Sequence, residues 1–185
     1  VKYHLEKAVH LAKNGRPGPV WVDIPLDVQA TMIDVDSLEG YEDWNEVNNL
    51  DISKLVSNII EDLNQSERPI ILAGNGIRLS KSVDEFKELI DILQIPVLTT
   101  WKGIDYLEET HPLYVGRPGG VAQRGANFSQ QNSDLLISLG ARLDHGQTAY
   151  QHKYFARKAT KVIVDVYTNE IDKLEMDIKY KVPID

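Results

Sequence analysis

The 185-residue sequence contains no cysteine. Disulfides, thiolate catalysis and Cys-based metal sites are therefore excluded. No apolar run approaches the ~20 residues that span a bilayer. Histidine is sparse, and His4, His10, His111, His145 and His152 form no HxxxH or HxH pair, so a metal site has no support. Positive charge is also short, with 20 Lys and Arg against 28 Asp and Glu and a formal charge of −8. Binding nucleic acid nonspecifically needs a cationic footprint, which this acidic chain does not have. Near Val1 there is neither the charged n-region nor the apolar h-region of a signal peptide. The absence of Cys is compatible with a cytoplasmic protein. What is present is an ordinary soluble balance, 42% apolar and 26% charged, at a length that fits one domain plus an appendage.

The chain opens with Leu5, Ala8, Val9 and Ala12 at helical spacing. A Gly/Pro turn, Gly15 to Gly18, then feeds the apolar run Pro19 to Ile24, which reads as a buried strand stopped by Pro25. One helix and one strand cannot bury a core. The simplest reading is a fragment of a longer polypeptide; the alternative is an N-terminal element docked on the rest of this chain. Residues 30–50 are acidic and aperiodic, a linker that Tyr41 and Trp44 would pin to a surface. The division predicted is therefore 1–29, 30–50 and 51–185.

From Asp51 the pattern is regular. Ile52, Leu55, Val56, Ile59, Ile60 and Leu63 share a helical face. Pro69–Ala73, Pro96–Thr99, Asp134–Leu139 and Lys161–Val166 read as buried strands. Helices are predicted over Val83–Leu93, with Ser82 and Glu85 spaced as a capping box, over Val121–Gln131, and from Thr168. Continuous apolar strands alternating with helices predict a doubly wound parallel α/β sheet.

Ligands of such sheets bind beyond the carboxyl ends of the strands. There the sequence places Gly74, Asn75 and Gly76, then Thr100, then Gly116 and Gly119 before a helix, then Arg142 and Asp144, and finally Asp165. Glycines admit a phosphate to the backbone, Arg142 could hold it in a fork, and Asp165 could accept from ribose hydroxyls. Each also has a plainer role: ending a strand, pairing with a neighbour, or capping a turn. Leu79 stands where the NAD fingerprint wants its third glycine, and no Walker loop or GxSxG elbow is present. His145 beside Asp144 is a weak dyad, since adjacent loop residues usually point apart.

GRPGPVWVDIPLDVQ resembles the end of the pyrimidine-binding domain in thiamine-diphosphate enzymes of the acetolactate synthase type. RPIILAGNGIRLS, IPVLTTWKGIDYLEETHPLYVGRPGG, SDLLISLGARLDHGQT and KVIVDVYTNEIDK resemble that family's central domain, in order. The resemblance implies a Rossmann-like central domain of the DHS-like NAD/FAD-binding type, with a helix–strand appendage from the preceding domain. It implies a parent that uses thiamine diphosphate and Mg²⁺ to decarboxylate a 2-oxo acid and then protonate the remainder or join it to a second carbonyl, working as a homodimer or homotetramer. The activating glutamate and the GDG…N motif of the family do not occur in this chain, so the resemblance implies that the chain alone binds no thiamine diphosphate and catalyses nothing.

For the central domain the resemblance leaves FAD or ADP open. Arg142 and Asp165 match the FAD-binding members, whereas Gly119-Gly120-Val121-Ala122 lacks their Met-His-Gly, Gly146 stands near their second arginine, and Tyr167 replaces their second aspartate. Two further readings stand beside it: a structural or interaction module without ligand, and an independent nucleotide-binding domain.

Overall fold

The structure is a computed structural model that describes residues 1–42 and 50–185. The chain divides into two compact units, Val1–Asn48 and Asn49–Asp185.

The first unit holds helix α1 (Lys2–Lys13), the short helix α2 (Leu26–Gln29) and a 3-10 turn, Val35–Ser37. Tyr41 packs on α1: its backbone N–H donates to Glu6 Oε2 at 2.7 Å, and its ring meets Tyr3 and His10. Trp44 lies outside the described residues. The run Pro19–Ile24 does not form the predicted strand. A strand needs a neighbour to complete its ladder, and the described residues of this unit supply none. The run instead flanks a groove of about 430 Å³ whose lining includes Leu5, Ala8, Leu11, Val20, Val22 and Val28. Not one described residue of this unit is buried.

The second unit contains one six-stranded sheet in the order β3-β2-β1-β4-β5-β6, with every pairing parallel. The strands are β1 (Pro69–Ala73), β2 (Val97–Thr99), β3 (Tyr114–Gly116), β4 (Leu135–Leu139), β5 (Thr160–Asp165) and β6 (Tyr180–Pro183). The predicted doubly wound architecture is observed. Two strands were not anticipated. β3 is only three residues long, and β6 carries Lys181 and Pro183, so neither is a continuous apolar run. Both lie at sheet edges, where short length, lysine and proline discourage further strand addition.

Period-two alternation divides the strand residues between two cores. Ile71, Ala73, Val97, Leu135, Ile137 and Val162 face one side, under Leu55, Ile59 and Leu63 of helix α3 (Ile52–Gln65) and Phe86 and Ile90 of helix α5 (Val83–Leu93). Ile70, Leu72, Leu98, Leu136 and Ile163 face the other, under Ala126 of helix α6 (Arg124–Asn132), Phe155 and Ile171 of helix α7 (Thr168–Asp172). Helix α4 (Gly76–Leu79) is a single turn after β1.

Two local expectations are corrected. Ser82 takes the N-cap position of α5 but makes no side-chain cap bond. Its φ of −102° and ψ of 32° lie outside the extended conformation that aims a cap oxygen at the first turn, and its hydroxyl bonds Ser80 instead. Helix α6 starts at Arg124 rather than Val121, because Gln123 is tied back to the preceding loop through Arg117: Gln123 N–H donates to the Arg117 carbonyl at 3.0 Å and Arg117 N–H to Gln123 Oε1 at 2.8 Å.

At the amino edge of the sheet, Asp134 fixes the entry to β1. Its carboxylate accepts from the Ser66 hydroxyl, from Arg68 N–H at 2.9 Å and from Glu67 N–H at 2.9 Å. Partial burial pushes the Asp134 carboxyl up, but these donors and the Arg68 charge outweigh it and hold it below the usual range. A depressed carboxyl stabilises the fold at pH values above its unfolded pKa near ~4, and the effect is lost as pH falls through the lower folded value. Asp134→Asn is expected to cost about 2 kcal/mol at neutral pH in denaturant unfolding followed by circular dichroism. The difference from wild type should shrink on acidification below pH ~4. A constant difference would show that the charge is not what matters.

Candidate functional site

The strand order reverses between β1 and β4, with β2 and β3 on one side and β5 and β6 on the other. That reversal opens a crevice at the carboxyl ends of β1 and β4 in folds of this order. Two loops leave from this point, Gly74-Asn75-Gly76 after β1 and Gly140-Ala141-Arg142 after β4, and they lie in backbone contact.

The contact is close enough to require glycine. A Cβ at Gly74 would fall 2.2 Å from Ala141 Cα, and one at Gly76 would fall 2.6 Å from Gly140 Cα. Gly140 also adopts φ 58°, a left-handed conformation that glycine enters without a side-chain penalty. Arg142 and Leu143 follow at φ 62° and 52° without that freedom. Three N–H groups at the contact are engaged. Gly74 N–H donates to Leu139 O at 2.8 Å, Gly76 N–H to Gly140 O at 3.0 Å, and Gly140 N–H to Val164 O at 2.8 Å.

Arg78 of α4 ties the β1 and β2 loops together. It donates to Asn75 Oδ1 at 3.2 Å, to the Lys102 carbonyl at 2.8 Å and to Asp105 Oδ1 at 2.6 Å. Its guanidinium lies 4.9 Å from the Tyr106 ring centroid, and the buried Tyr106 hydroxyl donates to Gly74 O at 3.0 Å. Burial pushes the Tyr106 phenol up. Thr100, at the end of β2, donates its N–H to Ala73 O at 2.9 Å.

The next loops form a second group. Gly116 ends β3, and the side-chain amide of Asn127 on α6 pairs with both backbone groups of Gly119, each at 2.9 Å. Gly120 N–H donates to Gly146 O at 2.8 Å, and Gln147 Nε2 donates to Pro118 O at 2.9 Å. Asp144 accepts from Gln147 N–H at 2.9 Å, so it shapes its own turn. His145 does not form a dyad with it. The imidazole stacks instead with Tyr150 and His152, with ring planes within 6° in both cases.

Arg142 does not pair with Asp144. Its Nε donates to Glu170 Oε2 at 3.2 Å, and Lys173 bonds the same oxygen. Burial pushes the Glu170 carboxyl up, but the hydrogen bonds from Lys173 and Arg142 outweigh it and leave it lowered. Asp165, buried at the end of β5, accepts from Tyr167 N–H at 3.1 Å. It caps the turn into α7.

A family model described as the central domain of thiamine pyrophosphate enzymes matches residues 56–183. The chain belongs to that family. Among curated relatives, it is 36% identical to a probable acetolactate synthase large subunit of Methanococcus aeolicus, over 97% of this chain and 30% of that protein. It is 35% identical to the probable acetolactate synthase large subunit of Methanocaldococcus jannaschii, over 96% of this chain and 30% of that protein. The acetolactate synthase large subunit of Lactococcus lactis is 33% identical, over 97% of this chain and 31% of that protein. The chain thus spans about 30% of the length of the curated relatives it matches.

Within a thiamine pyrophosphate enzyme central domain, the predicted positions fall into three places. Gly74, Asn75, Gly76 and Thr100 gather where β1, β2 and β4 end. Gly116, Gly119 and Asp144 belong to the loops around the start of α6. Arg142 and Asp165 flank α7. Arg78, Tyr106 and Asn127, which were not singled out from sequence, organise these places together with Glu170, which the sequence placed only at the positive end of α7. Asn127 alone had a visible signal, one turn after Gln123 on a helix opening toward a glycine loop. For thiamine diphosphate and Mg²⁺ the residues present offer no fit: the sequence has no GDG triplet, and among the described residues no group of three His, Asp or Glu could hold a metal.

Alanine scanning separates packing glycines from dispensable ones. Gly76→Ala should lower stability by roughly 3 kcal/mol, since the clashing atom is backbone and cannot rotate away. Gly125→Ala, in α6 with nothing near its Cβ position, should raise stability by about 0.5 kcal/mol. Equal effects of the two in thermal unfolding would contradict the close contact.

Proposed function

We propose that the chain is part of a thiamine-diphosphate- and Mg²⁺-dependent 2-oxo-acid carboligase or decarboxylase of the acetolactate synthase type, acting in the cytoplasm as a homodimer or homotetramer. Residues 51–185 are its central domain, 30–50 a linker, and 1–29 the end of the preceding pyrimidine-binding domain. The observation that carries this reading is the similarity to acetolactate synthase large subunits across 97% of the chain. A match of that extent cannot be confined to residues 51–185. The apolar but unburied first unit supports it as well, because residues patterned as a buried strand imply a sheet to join.

In this reading the chain contributes no group to the reacting atoms. Thiamine diphosphate, bound by other parts of the enzyme, supplies the carbanion chemistry. The central domain holds those parts at a fixed separation.

The test uses the full-length parent with thiamine diphosphate and Mg²⁺ and a broad panel of 2-oxo acids, reading CO₂ release. Turnover of at least one 2-oxo acid is expected, with none from residues 1–185 alone. A parent that releases CO₂ from no member of the panel would overturn the activity, and turnover by the isolated chain would overturn its passive role.

A further inference from the structure

A parallel sheet in this order, with glycines at its switch point, commonly takes a dinucleotide at its carboxyl edge, and FAD or ADP is the occupant that the family resemblance leaves open. We propose that this domain takes neither, because the glycines at its carboxyl edge are engaged and packed by its own chain.

The first reason is the state of the donors. A diphosphate is held by backbone N–H groups that have no other acceptor. Here the N–H groups of Gly74, Gly76 and Gly140 donate to strand and loop carbonyls, Gly119 N–H to Asn127 Oδ1, and Gly120 N–H to Gly146 O, all between 2.8 and 3.0 Å. Admitting a phosphate at these donors would break these bonds.

Space is the second reason. The glycines at β1 and β4 let a phosphate in only if the room left by the missing Cβ faces the ligand. At Gly74 and Gly76 that room is filled by the opposing loop, whose backbone atoms come within 2.2 and 2.6 Å of where a Cβ would stand. A phosphate oxygen needs about 2.7–3.1 Å from its donor and cannot enter there.

The charged groups supply the third. Arg142 is the cation placed to meet a phosphate, and it is held by Glu170, whose carboxylate Lys173 also binds. An incoming anion would meet a guanidinium whose charge is already partly balanced by the ionised Glu170 carboxylate. Asp165, the group placed to meet a ribose, accepts from Tyr167 N–H.

The proposal concerns this edge alone and is tested apart from the activity. Full-length parent is purified, its small molecules are released with acid, and flavin and adenine nucleotides are quantified by absorbance and mass spectrometry. The same protein is titrated with FAD and with ADP by calorimetry. Less than about 0.1 mole of nucleotide per mole of protein is expected, with no saturable binding below roughly 1 mM. Amide hydrogen exchange at Gly74, Gly76 and Gly140 should be slow and should not change with FAD. Stoichiometric nucleotide, micromolar affinity, or fast exchange at these glycines would each overturn the proposal, whether or not the parent releases CO₂.

Discussion

The second unit depends on one close approach, that of the loop after β1 to the loop after β4. These strands are the centre of the sheet, and each carries a neighbour on its outer side. With no side chain at Gly74, Gly76 and Gly140, the two backbones meet and exchange hydrogen bonds past the strand ends. The ladder is thereby extended by one more link, Gly74 N–H to Leu139 O, and α4 is anchored through Gly76. Tyr106 then reaches across to Gly74 O, and Arg78 lies over Tyr106. A chain of contacts from β4 to the loop after β2 rests on the absence of three methyl groups.

The central strands were legible because burial on both faces forces a continuous apolar run, and Pro69–Ala73 and Asp134–Leu139 have no other good use for such a sequence. β3 and β6 were not legible for the opposite reason. Edge strands are selected for brevity and for lysine or proline that discourages aggregation, which erases the apolar signal. Pro19–Ile24 failed in another way. Its pattern is that of a buried strand, but a strand is a relation between two segments, and one segment carries only half of it. The site followed the same logic. Which residues lie at the carboxyl edge follows from strand ends alone. Whether Arg142 meets a phosphate or Glu170 depends on a contact 28 residues away in sequence, which no local pattern encodes.

Several site residues have partners within the chain itself. Asp165 caps a turn, Asp144 shapes its own loop, and the glycines pack. A glycine at a strand end in an α/β fold has two separate uses, close approach of backbone to ligand and close approach of backbone to backbone. They are identical in sequence. They differ in where the N–H points and what fills the space left by Cβ, and both are geometric quantities.

That distinction bears on what a domain of this order does inside a larger enzyme. Fold and function are separable, and a Rossmann-like sheet does not oblige its crevice to hold anything. An open crevice with free donors is rigid only when a ligand supplies the missing acceptors. A crevice whose donors are already spent on its own carbonyls is rigid without one. Under the proposed role of keeping catalytic partners at a constant distance, the second arrangement has an advantage in constancy: its geometry would not vary with nucleotide concentration. The Arg142–Glu170–Lys173 cluster fits this logic. It places the Arg142 guanidinium against a carboxylate from α7 and so fastens that helix to the loop after β4.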